Sequence, residues 1–204
     1  MKAYSAACDR NKAVILEVLK RYLNQTEPSR SLPLLLEVGS GTGQHSIYFS
    51  QALPQLRWQP SDRAEQLDDI RAWQQDEPQA NNLAPLELDL NQPTWPVDSA
   101  DHIFTANTLH IVSLALVQRF VDGAKATLNP RGYLFIYGPF NYEGKYTSDS
   151  NAEFDIWLQQ RDTNSGIRDF EFIHQALTAD NCCKLIEDVQ MPANNRMLVY
   201  QKNH

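Results

Sequence analysis

A short apolar run followed at once by three closely spaced glycines most constrains how this chain can fold. Leu34–Val38 is typical of a buried strand, and it runs directly into the sequence GSGTG at positions 39–43. The following residues, Gly43–Leu53, have helical apolar spacing, and Pro54 ends the helix. Such a strand–turn–helix unit needs glycine because the turn is tight and the backbone must approach a ligand closely. The unit therefore predicts a nucleotide-type binding turn, with a glycine-rich turn that holds no ligand as the alternative.

Strand-like and helix-like segments alternate along most of the chain. Further strands are predicted at Leu56–Gln59 (ending at Ser61 and Asp62), Leu86–Leu90, His102–Ala106, Tyr133–Tyr137, Lys184–Gln190 and Met197–Gln201. The connection between the last two is too short for a parallel crossover, so they should form an antiparallel hairpin. The alternation predicts an α/β fold with a mostly parallel sheet and helices on both faces.

The chain shows no internal repeat and no convincing linker, so one domain over residues 1–204 is expected. Its first part, residues 1–30, should hold a helix over Asp9–Leu23 with Asp9 as N-cap, and then a polar loop from Asn24 to Pro33. Residues 139–181 contain a long polar loop and two helices, and they form a candidate substrate lid. An ordered surface loop is the alternative for that segment.

Composition limits the partners that the chain can have. There are 204 residues with 18 Lys and Arg against 25 Asp and Glu, a formal net charge of −7, so no nucleic-acid partner is expected. No apolar run approaches the roughly 18 residues of a membrane span, and the first ten residues have no apolar signal segment. We therefore expect a cytoplasmic protein with no membrane partner. The three cysteines lack zinc-ligand spacing, so no metal site is expected.

The spacing of the glycine turn discriminates between nucleotide ligands. Gln44 stands where a dinucleotide-binding turn needs glycine or alanine, and no Gly-Lys-Ser/Thr follows as in a phosphate loop. The spacing, with Glu37 before it, instead resembles the first motif of class I S-adenosylmethionine-dependent methyltransferases. Asp62 ends the second strand, 19 residues after Gly43, where a carboxylate can accept the two ribose hydroxyls. Its alternative role is the N-cap of the next helix.

Further stretches are similar to one branch of that class, the methyltransferase-like protein 26 family. They cover nearly the whole chain, at positions 10–11 (RN), 37–45 (EVGSGTGQH), 58–62 (WQPSD), 107–111 (NTLHI), 137–141 (YGPFN), 147–151 (TSDSN), 154–155 (FD), 166–169 (GIRD) and 191–195 (MPANN). The resemblance implies a Rossmann-like methyltransferase fold of seven strands with the last pair antiparallel. It implies no particular methyl acceptor.

The resemblance implies a binding site for S-adenosyl-L-methionine. The candidate cofactor-binding residues are Arg10, Asn11, Glu37, Gly39, Ser40, Gly41, Thr42, Gly43, His45, Asp62, Asp89, Leu90 and Asn107. Asp89 resembles the acid set near the adenine amino group, with a solvated strand-end carboxylate as the alternative. Arg10 and Asn11 would reach the methionine end, although Asn11 is otherwise an ordinary first-turn helix residue.

A hydroxyl or amine acceptor must lose a proton during methyl transfer, which calls for a nearby base. His110 is the best candidate because it follows the fourth strand at the carboxyl edge of the sheet; packing at a helix start is its alternative role. Asn107 and Tyr142 complete the candidate catalytic set. Asn107 does not open the Pro-Pro-aromatic motif of adenine and glutamine amide methylation, so those reactions are not expected.

Polar residues of the candidate lid and of the hairpin turn are the candidate substrate contacts. They are Tyr146, Ser148, Ser150, Asn151, Asp155, Asn194 and Asn195, although the last two can be simple turn formers. The leading interpretation is a methyltransferase that acts on a small molecule, as a monomer or weak homodimer. A non-catalytic cofactor-binding module or adaptor is the alternative, and a nicotinamide-dependent oxidoreductase is disfavoured by Gln44.

Overall fold

The computed structural model describes residues 2–24 and 32–203. Most of the polar loop predicted between Asn24 and Pro33 lies outside the described residues. The six α-helices of the described part are α1 (Ala6–Leu23), α2 (Gln44–Ala52), α3 (Leu67–Asp76), α4 (Leu114–Thr127), α5 (Asp149–Arg161) and α6 (Phe170–Thr178). Short 3₁₀ turns precede α3 at Ala64–Gln66 and follow α6 at Ala179–Asn181.

Seven strands form one sheet. They are β1 (Leu34–Val38), β2 (Arg57–Asp62), β3 (Leu86–Glu87), β4 (Ala100–Ala106), β5 (Leu128–Gly138), β8 (Cys183–Met191) and β9 (Asn195–Lys202), while β6 (Phe140–Asn141) pairs with β7 (Arg168–Asp169) separately. The order across the large sheet is β3-β2-β1-β4-β5-β9-β8. All pairs from β3 to β5 are parallel, and β9 is antiparallel to both of its neighbours. The predicted sheet and C-terminal hairpin are confirmed.

Helices cover both faces of the sheet, as predicted. Neighbouring side chains of a strand point to opposite faces, so Leu35 packs with residues of α1 and α2 while Leu36 packs with residues of α4 and α6. Both leucines are fully buried. No helix among the described residues is both long enough and apolar enough to cross a membrane.

Several element boundaries differ from the sequence prediction. Strand β4 begins at Ala100 rather than His102, and β5 begins at Leu128 rather than Tyr133. Helix α1 begins at Ala6 rather than Asp9, because the Ser5 hydroxyl accepts a hydrogen bond from the Cys8 amide and caps the helix one turn earlier. The third strand is shorter than Leu86–Leu90. The Asp89 carboxylate accepts a hydrogen bond from the Asn91 amide (2.8 Å), which turns the chain away from the sheet after Glu87.

Candidate binding cleft at the carboxyl edge of the sheet

A cleft of about 1560 Å³ lies where the parallel strands end. The turn after β1, the last residue of β2 and the segment after β4 contribute to its floor, and helices α1 and α5 contribute side chains from either side. The carboxyl ends of parallel strands meet at one edge, and the crevice outside them is where ligands bind in open α/β sheets. Most of the residues predicted for cofactor binding line this cleft.

The glycine turn borders the cleft, and its backbone has a conformation that residues other than glycine rarely adopt. Gly39, Gly41 and Gly43 all have positive φ, at 78°, 56° and 87°. A Cβ at Gly39 would lie 2.5 Å from the Thr108 Oγ1, so that glycine also permits close packing. A Cβ at Gly41 would meet no heavy atom within 4 Å, so the backbone there faces open space. The turn therefore leaves room for a ligand beside Gly41.

Asp62 lies in the cleft next to the glycine turn. Its Oδ2 accepts a hydrogen bond from the Gly41 amide (2.7 Å), and its Oδ1 accepts one from the Arg63 amide (2.8 Å). Burial raises the pKa of this carboxyl, and the two amide donors oppose that rise. Each carboxylate oxygen retains acceptor capacity for a ligand hydroxyl. The predicted alternative, an N-cap role, is not observed, since the following 3₁₀ turn has Arg63 at its N-cap and α3 has Gln66.

Apolar side chains and Asp89 line the part of the cleft beyond β3. Leu88 and Leu90 are buried, and both line the cleft on either side of Asp89 in sequence. The half-buried Asp89 carboxylate keeps acceptor capacity besides its bonds to Asn91. This part of the cleft can hold a flat apolar group that carries a hydrogen-bond donor.

Helix α1 closes another side of the cleft with polar residues. The Asn11 side-chain amide and the His45 ring share a hydrogen bond, with 2.7 Å between the Asn11 Oδ1 and the His45 Nε2. Burial lowers the pKa of His45 to about 4, and its ring stacks on Phe49 at 5.1 Å between centroids. Arg10 is exposed and lines the cleft nearby. The pair of Asn11 and His45 thus shapes this wall, and Arg10 supplies a positive charge.

The segment after β4 carries Asn107 and His110 into the cleft. Asn107 has φ 58°, and its amide donates to the Tyr137 carbonyl (2.9 Å) on the neighbouring strand β5. His110 is buried, and its ring packs edge-on against Phe154 at 5.5 Å. Burial first, and then the charge of Arg168, lower the pKa of His110 to about 4. At pH 7 the ring is therefore neutral and can accept a proton.

Arg168 holds this segment in place. Its Nε donates to the Leu109 carbonyl (3.0 Å), and its Nη2 donates to the carbonyls of Val112 and Asn164. The three bonds fasten residues 109–112 to the connection between α5 and α6. Arg168 thus fixes the backbone on either side of His110.

The start of α5 meets the turn between β8 and β9 at the mouth of the cleft. The Asn151 side chain donates to the Asn194 carbonyl (3.2 Å), and the Asn194 side chain donates to the Ser150 hydroxyl (3.1 Å). Ser150, Asn151 and Asn195 line the cleft. The structure therefore brings together polar residues of two segments that are far apart in sequence.

Seven predicted site residues lie outside the lining of the cleft. Their side chains or backbone are used elsewhere: Glu37, Gly43, Tyr142, Tyr146, Ser148, Asp155 and Asn194. Glu37 is buried and accepts from the Trp58 indole (2.8 Å), while a Cβ at Gly43 would lie 2.9 Å from the Ile70 Cα. Tyr142 donates to Asp188 (2.6 Å) and stacks on Phe170, so its hydroxyl is committed to β8.

The remaining residues of this group stabilise the segment around α5. The Ser148 hydroxyl caps α5 by accepting from the Asn151 amide (3.1 Å). The buried Asp155 accepts from the Tyr146 hydroxyl (2.8 Å), from Gln159 (2.7 Å) and from the Ile167 amide. Asp155 therefore ties both ends of this segment to α5 and does not face a ligand in the cleft.

The cleft also contains residues that sequence reasoning did not select. Thr108 packs against Gly39, and Phe154, Trp157 and Arg161 form a wall along α5. Their positions on α5 are three and four residues apart, which is the spacing of one helix face. The same spacing is typical of an ordinary buried helix face, so the sequence carries no signal that distinguishes a helix face lining a cleft from one packed in the core.

The comparison with known families gives a match over almost the full chain. The family described as "Protein of unknown function (DUF938)" matches residues 2–202. The chain belongs to the DUF938 family.

Solved methyltransferase structures share the fold of this DUF938 chain. An O-methyltransferase family 2 protein from Planctomyces limnophilus, in complex with apigenin, has a TM-score of 0.80 at 20% identity over 97% of this chain. Human N-acetylserotonin methyltransferase in complex with SAM has a TM-score of 0.76 at 15% identity over 97%. An O-methyltransferase family protein from Burkholderia thailandensis has a TM-score of 0.75 at 14% identity over 97%.

The DUF938 chain spans 58%, 53% and 60% of the lengths of these three structures. The likeness establishes the class I methyltransferase fold, which the resemblance of the sequence motifs implies. The finer resemblance to the methyltransferase-like protein 26 family stays a prediction.

Proposed function

We propose that this DUF938 protein is an S-adenosylmethionine-dependent methyltransferase that acts on a small molecule. The observation that carries the proposal is the position of Asp62. Its carboxylate lies in the cleft beside the glycine turn, is held by the Gly41 amide at 2.7 Å, and keeps acceptor capacity on both oxygens. A ribose diol is the partner that such a carboxylate suits.

The residues of the cleft fit the rest of the cofactor. The free space at Gly41 can admit a ligand close to the backbone. Leu88 and Leu90 offer apolar contact for an adenine ring, and Asp89 offers an acceptor for its amino group. Arg10 offers a positive charge for the methionine carboxylate. These fits are the basis for assigning the cofactor to the cleft.

S-adenosylmethionine, when bound, supplies an electrophilic methyl group. The contribution of the chain is to hold the acceptor in line and to accept a proton from it. We assign the second role to His110, which lines the cleft, is neutral at pH 7, and is held by the Arg168 bonds on either side. Asn107 precedes it in the same wall.

A small acceptor suits both the charge of the chain and its relatives. The formal net charge of −7 disfavours a nucleic-acid acceptor. One structural relative is in complex with apigenin, and another is named for N-acetylserotonin, both of which are small molecules. The resemblance to the methyltransferase-like protein 26 family is part of the same proposal.

Isothermal titration with S-adenosylmethionine and S-adenosylhomocysteine tests the cofactor assignment. We expect saturable binding, and Asp62→Ala should weaken it about ten-fold or more, since a lost charge-assisted hydrogen bond costs about 1.5–3 kcal/mol. Asp68→Ala is the matched control, because that carboxylate on α3 is 92% exposed and away from the cleft. Absence of binding by the wild-type protein would contradict the proposal, and equal affinity in the Asp62 variant would remove Asp62 from the site.

A non-catalytic cofactor-binding module is the second candidate. The low pKa of His110 favours it, because a group with a pKa of about 4 is a weak base at neutral pH. Label transfer from methyl-tritiated S-adenosylmethionine to a metabolite extract separates the two candidates. Transfer by the wild-type protein that His110→Ala lowers supports the enzyme, whereas cofactor binding without any transfer supports the binding module.

A further inference from the structure

A wall of flat side chains runs along one face of α5 into the cleft. The rings of Phe154 and Trp157 are stacked, with centroids 5.7 Å apart and planes 18° apart. The Arg161 guanidinium lies over the Trp157 ring at 4.6 Å from its centroid. At the other end, His110 packs edge-on against Phe154. Residues 154 to 161 span about 10 Å of helix, so the wall is long and narrow.

The middle of this wall is apolar and only partly covered by the neighbouring side chains Phe154 and Arg161. Trp157 is 48% exposed and lines the cleft, and Ile111, 54% exposed, lines it as well. Aromatic side chains contribute strongly to binding when a ligand covers them, and flat rings gain further from offset or edge-on packing. A planar ligand would make more contact with these flat side chains than a ligand of another shape.

The outer end of the wall is charged. Arg161 has no carboxylate within salt-bridge distance among residues 2–24 and 32–203. The adjacent Asp162 also lines the cleft, but its Oδ1 is engaged by the backbone amide (2.9 Å) and side-chain amide (3.1 Å) of Asn164. The guanidinium, a planar fork of donors, is thus available to an anionic group such as a carboxylate.

We propose that the methyl acceptor is an extended planar aromatic acid that lies along the Phe154–Trp157–Arg161 wall. Its rings cover Trp157, its acid group pairs with Arg161, and its nucleophilic atom lies at the opposite end, next to His110. The proposal rests on the proposed methyltransferase function for the reaction, whereas binding of the acid is a separate property of the wall. The about 10 Å of helix between residues 154 and 161 suits a scaffold of at least two fused rings.

The probes are 6-hydroxy-2-naphthoate and its neutral amide, titrated into the wild-type protein by calorimetry with and without saturating S-adenosylhomocysteine. We expect the acid to bind about ten-fold more tightly than the amide. Arg161→Gln should abolish that preference and weaken binding of the acid more than binding of the amide. Trp157→Ala should weaken both probes about ten-fold. Ile156→Ala is the matched control, because Ile156 is 56% exposed and lies outside the cleft lining.

Three results would each overturn the acceptor proposal: no saturable binding of either probe, equal wild-type affinity for the acid and the amide, or unchanged binding in both the Arg161 and the Trp157 variants. Failure of S-adenosylhomocysteine to bind, with normal naphthoate binding, would instead contradict the proposed function and leave the acid site in place. Because the titrations are made with and without S-adenosylhomocysteine, the two failures are distinguishable.

Discussion

Replacing Glu37 with glutamine should change the pH dependence of stability in a direction that the structure determines. Glu37 is the last residue but one of β1, just before the glycine turn, and is 1% exposed. Its Oε2 accepts a hydrogen bond from the Trp58 indole (2.8 Å), and glutamine retains an acceptor for that bond. The substitution therefore removes a titratable proton while it conserves size and the main contact.

The size of the expected change in stability follows from the pKa of Glu37. Burial raises the pKa of Glu37 from 4.5 to about 7, against the opposing effect of the Trp58 donor. The folded chain then binds this proton more tightly than the unfolded chain, so stability is highest below pH 4.5 and falls as the pH rises to 7. At about 1.36 kcal/mol per pH unit, the full effect amounts to about 3 kcal/mol. Between pH 5 and pH 8 the wild-type protein should lose about 2–3 kcal/mol through this group.

Buried histidines change stability with pH in the opposite direction. Burial lowers the pKa values of His45, His102 and His110 to about 4, so the stability that their neutral forms contribute is lost as the pH falls below 6.5. These contributions are common to the wild-type protein and the Glu37→Gln variant. The difference between the two proteins therefore isolates the titration of Glu37.

Urea unfolding followed by tryptophan fluorescence at pH 5, 6.5 and 8 provides the measurement. Relative to the wild-type protein, the variant should become more stable by about 2–3 kcal/mol between pH 5 and pH 8, whatever the difference in stability between them at pH 5. Glu17→Gln on the exposed face of α1 is the control and should show no such trend. A difference between the Glu37 variant and the wild-type protein that stays constant with pH would refute the reasoning.

Three further substitutions test separate contacts. Gly39→Ala should lower the free energy of unfolding by about 2–5 kcal/mol, because the alanine would combine a φ of 78° with a Cβ 2.5 Å from the Thr108 Oγ1. Adding Thr108→Ala should restore part of the lost stability in urea titrations. If it restores none, the predicted clash with Thr108 is contradicted. Arg168→Gln should speed hydrogen exchange at residues 109–112, because it removes bonds to that backbone, and unchanged exchange would argue against the anchoring role. Tyr142→Phe should cost about 1–2 kcal/mol of stability and leave cofactor affinity at the wild-type value, whereas weaker binding would return Tyr142 to the site.

The sheet could be predicted because its strands are short apolar runs between turn residues. The bounds of β1, Leu34–Val38, agree between sequence and structure, and the hairpin of β8 and β9 follows from the shortness of its connection. The start of α1 and the end of β3 could not be predicted in the same way. Each of these two boundaries depends on one side chain, Ser5 or Asp89, that accepts a hydrogen bond from a nearby backbone amide.

The sequence predicts the positions of residues at strand ends more reliably than those of residues in the long loop. Residues 39–42 of the glycine turn, Asp62 and His110 line the cleft because chain order alone brings strand ends to one edge of a parallel sheet. Tyr142 and Asp155 look equally functional in sequence, but distant partners determine where they point. Tyr142 bonds to Asp188, which is 46 residues away, and no local pattern signals that contact. The catalytic and binding roles themselves stay predictions.

The position of β9 has a consequence for biosynthesis. This strand, the last of the described strands in chain order, lies between β5 and β8 and is hydrogen-bonded to both. While the chain is being made, β5 and β8 therefore emerge from the ribosome before the strand that joins them, and their unpaired edges can recruit another nascent chain. The sheet closes only once residues 195–202 have emerged, so premature termination within β9 should yield an aggregating product rather than a smaller folded one.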